Sequence, residues 1–151
     1  MHVPDPRNPD FDRLFDGTLY SLLSWDQLTA FWQTLDPSGD WYLYAVGEAR
    51  PTSPADAEHV TAFIQQIDAL LRKEHDEDYC GIVYADDLKS PSIVKIYDPN
   101  NLGTSCGSSG HKILPGWVMS RVPPSDLEAP HFLPQNRKRW WQGFMDFIGA
   151  K

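Results

Sequence analysis

Val60, Phe63, Ile64, Ile67, Leu70 and Leu71 stand at i, i+3, i+4, i+7, i+10 and i+11. That spacing gathers all six on one face of an α-helix. Such a stripe has to be buried against another layer of structure. Ser53 followed by Pro54 predicts the start, with proline at the first helical position. The helix is expected over 54–73, then to fray into His75-Asp76-Glu77-Asp78.

The rest of the chain supplies that layer. Ser24 with Gln27 three residues later has the spacing of a capping box. Trp25, Leu28, Phe31, Trp32 and Leu35 follow at helical intervals, and Asp36-Pro37-Ser38-Gly39 turns the chain. Residues 41–46 are aromatic and β-prone with little polar alternation, which predicts a strand covered on both faces and central in its sheet. Strands are also expected over 79–85, 92–97 and 117–122, the first two as a hairpin. Cys80, early in one of them, reads as a small buried hydrophobe. A last helix is expected over 136–148. The order is then α-β-α-β-β-β-α. The fold class is α+β, a single domain with an approximately four-stranded, mostly antiparallel sheet packed by two or three helices. Residues 1–17, with Pro4, Pro6 and Pro9, are expected as an extended arm tacked down by Phe11, Leu14 and Phe15. Residues 18–151 form the domain.

Composition limits the function classes. The chain has 151 residues, one domain's worth. Thirteen Lys and Arg against 21 Asp and Glu give a net charge of −8, which disfavours binding to phosphate backbones. Nucleic acid is therefore not expected as a partner. The apolar runs fall well short of the roughly 20 residues that span a bilayer. The N-terminus has no basic region followed by an apolar core, so no signal peptide is read there. Two cysteines, Cys80 and Cys106, make no disulfide framework. A cytoplasmic location is the simplest expectation.

Chemistry could sit in the run from Asp98 to Pro115. A loop this long is uncommon inside a compact domain. Gly103, Gly107 and Gly110 allow close backbone approach to a ligand. With Ser105, Cys106, Ser108, Ser109 and Lys112 they could form an anion-binding nest. The named phosphate motifs do not fit, because His111 separates Gly110 from Lys112 and Ile113 follows. A surface loop without a ligand is the plainer reading. Cys106 beside His111 has the residue types of a thiol nucleophile and its base, without an identifiable third group. His75, Cys80, Cys106 and His111 form a two-sulfur, two-nitrogen set of the kind tetrahedral zinc takes, although the tight cysteine pair usual in structural sites is missing. Asp86 and Asp87 read as turn residues. No residue is assigned a catalytic role.

The C-terminal segment carries the one concentrated basic cluster, Arg137-Lys138-Arg139, followed by Trp140, Trp141, Phe144, Phe147 and Ile148 at helical spacing. Its aromatic face suits core packing, or the docking of a partner. The function expected from these features is that of a non-catalytic cytoplasmic accessory or adaptor protein. It would bind a protein partner, or a second copy of itself, through exposed aromatics and the Gly/Ser-rich loop. Trp117, Arg137, Arg139, Trp140 and Trp141 are the candidate partner-binding residues. The alternatives are a thiol or zinc protein centred on Cys106 and His111, and an anionic-ligand binder or enzyme using loop 103–112.

Overall fold

Asp56 caps the long helix: its carboxylate accepts the His59 backbone N–H at 2.8 Å. The computed structural model describes residues 7–99, 114–127 and 140–143. In chain order the elements are α1 (Pro9–Phe15), β1 (Tyr20–Ser21), α2 (Trp25–Thr34), β2 (Tyr42–Ala45), α3 (Ala57–Glu74), β3 (Val83–Ala85), β4 (Ile93–Ile96) and β5 (Trp117–Ser120). Residues 140–143 are helical, and the rest of the expected 136–148 helix lies outside the described residues.

The α3 helix buries Val60, Phe63, Ile67, Leu70 and Leu71, the predicted stripe apart from the half-buried Ile64. It starts later than Pro54 because the Ala55 N–H is held by the Trp41 carbonyl at 2.8 Å, which keeps residue 55 beside the entry to β2. The α2 helix opens with both halves of the predicted capping box: Ser24 accepts from the Gln27 N–H, and the Gln27 side chain reaches back to the Ser24 N–H.

The expected loose arm contains a helix. Pro9 occupies the first turn of α1, where its missing N–H costs nothing, and Asn8 caps it. Phe11 is fully buried, and Leu14 and Phe15 pack beside it, as the tacking role requires.

The α+β architecture is as expected, with five strands rather than four. The sheet is antiparallel throughout, in the order β1-β3-β4-β5-β2. The two-residue β1 carries too little pattern to be read from sequence. Residues 79–82 precede β3 rather than belong to it: Gly81 takes a φ of +69° and the chain bends there. β2 lies at the edge, not the centre. Its burial comes from cover on both faces.

Side chains alternate between two cores. Leu43, Ala45, Val83, Val94, Ile96, Trp117 and Met119 face the layer of α2, α3 and Trp141. Tyr44, Val46, Ile93 and Val118 face α1 and the segment through Leu127. On that second face the buried Lys95 holds its Nζ 3.7 Å from the Phe15 ring centroid, a cation–π contact. The far segment is pinned to the sheet, with the Leu127 N–H donating to the Tyr44 hydroxyl at 3.0 Å.

Candidate functional site

The expected ligand loop, Gly103, Ser105, Cys106, Gly107, Ser108, Ser109, Gly110 and Lys112, lies outside the described residues, as do His111, Arg137 and Arg139. Its stems are placed. Asp98 is buried, and a Cβ on Gly116 would come within 3.1 Å of the Asp98 Cβ. Glycine at 116 therefore lets the two stems approach.

The described half of the proposed zinc set is occupied otherwise. His75 Nε2 lies 2.9 Å from the Cys80 carbonyl oxygen, and both residues are buried. Burial pushes the Cys80 thiol above its usual pKa of 9.0. That is the environment of an inert thiol rather than a reactive one. Among the described residues, no group of three or more His, Cys, Asp or Glu could hold a metal ion.

The three tryptophans expected at a partner surface are packing residues. Trp117 is 3% exposed and Trp141 is also buried. Trp140 is half-buried against Trp117 at 5.7 Å between ring centroids, and Trp141 stands edge-to-face with Phe63 at 6.2 Å. Large aromatic surfaces stabilise most when buried, and here they fasten residues 140–143 across α3 and β5.

Exposed apolar surface lies elsewhere. Among the described residues, the large hydrophobic side chains left in solvent are Tyr20 at 53%, Leu23 at 62%, Tyr79 at 54% and Leu88 at 39%. Tyr20 is in β1, paired with Ala85 of β3. Leu23 follows β1, and its carbonyl accepts the Cys80 N–H at 2.8 Å, which brings Tyr79 alongside. Leu88 is in the β3–β4 connection, three residues beyond Ala85. Tyr20 and Leu88 thus lie towards the Ala85 end of the β1–β3 pairing, and Leu23 and Tyr79 towards the Cys80 end.

Among the described residues, no strand lies on the outer side of β1. The Leu22 N–H donates to the Val83 carbonyl, and the Leu22 carbonyl accepts from the Gly81 N–H, so both Leu22 groups face β3. Alternation turns the Ser21 N–H and C=O the opposite way, outward. Ser21 Oγ is buried with no hydrogen-bond partner, the one such side-chain atom among the described residues.

The base of this edge is held by side-chain contacts between α2, α3 and the turn after α3. Trp25 Nε1 donates to the Glu77 carbonyl at 3.1 Å, and the Arg72 guanidinium lies 5.1 Å from the Trp25 ring centroid. Arg72 also bonds the Thr29 hydroxyl and the Asp68 carboxylate, locking α2 to α3.

Acidic groups flank both ends. Asp76, Glu77 and Asp78 are exposed beside Tyr79. Asp86 and Asp87 follow β3, and they do make the expected turn: Asp86 accepts the Ser92 and Ile93 N–H groups, and Asp87 those of Lys89 and Ser90. Those bonds hold the Asp87 carboxyl below its usual pKa of 3.8, so it stays ionised. Sequence reading missed this edge because Tyr20-Ser21-Leu22-Leu23 has neither strand length nor a turn signal. The adjacent Leu22 and Leu23 were its one trace.

Comparison with protein-family models, with curated proteins and with solved structures finds no match for the chain. No helix among the described residues is long and apolar enough to cross a membrane.

Proposed function

We propose that the chain is a non-catalytic accessory protein of the cytoplasm that binds a protein partner through the β1 end of its sheet. One observation carries this reading: among the described residues the large hydrophobic side chains left exposed are Tyr20, Leu23, Tyr79 and Leu88, and all four lie on β1 or in segments that flank β1 and β3. Exposed apolar groups gathered in one place and rimmed by polar residues mark interaction surfaces. Aromatic anchors are also common among residues that dominate binding energy. The free, buried thiol of Cys80 suits a reducing compartment.

This reading moves the binding aromatics from Trp117, Trp140 and Trp141 to Tyr20 and Tyr79. The Gly/Ser-rich run 103–112 stays in it on sequence grounds alone. The test is affinity capture from a cell extract, quantified for wild type against a Leu23→Ser/Tyr79→Ser double variant, then titration of the purified captured protein. A protein that binds wild type and loses about tenfold or more affinity for the double variant supports the reading, since each tenfold is about 1.4 kcal/mol. Equal binding to both proteins overturns it.

A further inference from the structure

We propose that the β1 edge accepts an extended, cationic peptide segment as a sixth strand of the sheet; the proposal rests on the partner-binding reading above. Strand addition needs an edge with unpaired backbone groups and side-chain contacts on either side of it. By alternation from Leu22, Ser21 turns its N–H and C=O outward, and β1 is terminal in the strand order of the described residues. Tyr20 and Leu23 flank it, with Tyr79 beside Leu23, ready to cover alternate side chains of an added strand. The buried Ser21 Oγ lacks a partner, and an unmade bond of that kind is costly.

Charge selects the occupant. Asp76, Glu77 and Asp78 stand at one end of the edge, and Asp86 and Asp87 at the other. Among the described residues of α3 and the β3–β4 connection beside this edge, Arg72 is engaged with Asp68 at 2.9 Å and lies over Trp25, which leaves the exposed Lys89 and Lys73 against five carboxylates. The whole chain carries −8. A second copy is disfavoured at this edge. Two-fold antiparallel pairing of β1 with itself would set the Asp76–Asp78 end of one copy against the Asp86–Asp87 end of the other, placing like charge on like. A segment bearing Lys or Arg between apolar residues meets both requirements.

The probe is a fluorophore-labelled synthetic peptide of alternating lysine and valine, titrated with the protein and followed by anisotropy. Binding is expected at low ionic strength and weakens as salt screens the exposed carboxylates. Ser21→Pro removes the outward N–H, and proline is tolerated on edge strands, so the variant should keep its fold and lose about tenfold in affinity. Asp76→Asn/Glu77→Gln/Asp78→Asn should weaken binding and flatten its salt dependence. Should Ser21→Pro not fold, a peptide N-methylated at alternate backbone positions tests the same bonds from the other side and should bind about tenfold less tightly. Failure of the lysine–valine peptide to bind wild type, or equal binding of a glutamate–valine peptide or of the N-methylated one, overturns the proposal. If the peptide fails while a captured partner still depends on Leu23 and Tyr79, strand addition falls and the partner-binding reading stands. Dimers in sedimentation velocity that Ser21→Pro abolishes would also overturn it, in favour of self-pairing.

Discussion

The ring of His75 is bonded through Nε2 to the carbonyl oxygen of Cys80, 2.9 Å away. A carbonyl only accepts, so Nε2 carries the proton. The contact closes the turn that brings the chain from α3 back to the sheet, and it seats Tyr79 and Trp25 edge-on against the imidazole at 5.9 and 6.0 Å. His75→Ala would leave a carbonyl unpaired in a buried site, which costs about 1–3 kcal/mol. Urea unfolding of the variant is expected to show that loss as a lower midpoint. An unchanged midpoint would mean the turn is held by its other contacts.

The Cys80 thiol sits in the same turn, fully buried, with its pKa raised by burial. The thiolate is the reactive form, so a raised pKa and lack of access both slow modification. In a Cys106→Ser variant, where Cys80 alone remains, an aromatic disulfide reagent at neutral pH should react only as fast as the protein opens. The rate should climb with added urea below the unfolding transition. Rapid stoichiometric reaction in native buffer would reopen the thiol and zinc readings of His75 and Cys80.

Tyr44 couples stability to alkaline pH. Burial raises its phenol above the usual pKa of 10.0, against the opposing effect of the bond from the Leu127 N–H. The folded state therefore holds the proton more tightly than the unfolded state does. The associated stability is intact below the ordinary tyrosine pKa and is lost as pH rises towards the higher folded value. Tyr97, also raised by burial, adds to the same trend. Tyr44→Phe should cost roughly 0.5–1.5 kcal/mol at neutral pH through the lost Leu127 bond. It should also fall less steeply with pH above the tyrosine range. Parallel pH profiles for wild type and variant would assign the alkaline loss to other groups.

Much of this fold was legible because its long elements obey single periods. The α3 stripe and the Ser24–Gln27 box each specify one structure from neighbouring residues alone. Two readings failed where the deciding partner is distant in sequence. Pro54 suits a helix start, but the Trp41 carbonyl holds Ala55 outside it. The β2 residues look central, yet cover from α1 and α3 buries an edge strand on both faces. The aromatic face of Trp140 and Trp141, which suits core packing or docking alike from sequence, packs with Trp117 and Phe63. The candidate edge was hidden for the same reason: β1 is defined by its pairing with Tyr84 and Ala85, 63 or more residues away by the numbering of its partners.

The seating of Trp141 on Phe63 has a measurable consequence. Phe63 is fully buried on α3, and its ring meets Trp141 edge-to-face at 6.2 Å. Phe63→Ala removes a large core side chain and should cost about 3–5 kcal/mol, part of it from the cavity left behind. Trp141→Ala should cost about as much. If residues 140–143 dock through this pair, the two losses are not additive, and the double variant should be more stable than their sum predicts by about 0.5–1.5 kcal/mol, the range for an aromatic pair beyond its buried area. Chemical denaturation of the two single variants and the double variant closes that cycle, with Phe63→Leu and Trp141→Phe as milder replacements should alanine prevent folding. Strict additivity would show that Trp141 is held by Trp140 and Trp117 rather than by α3.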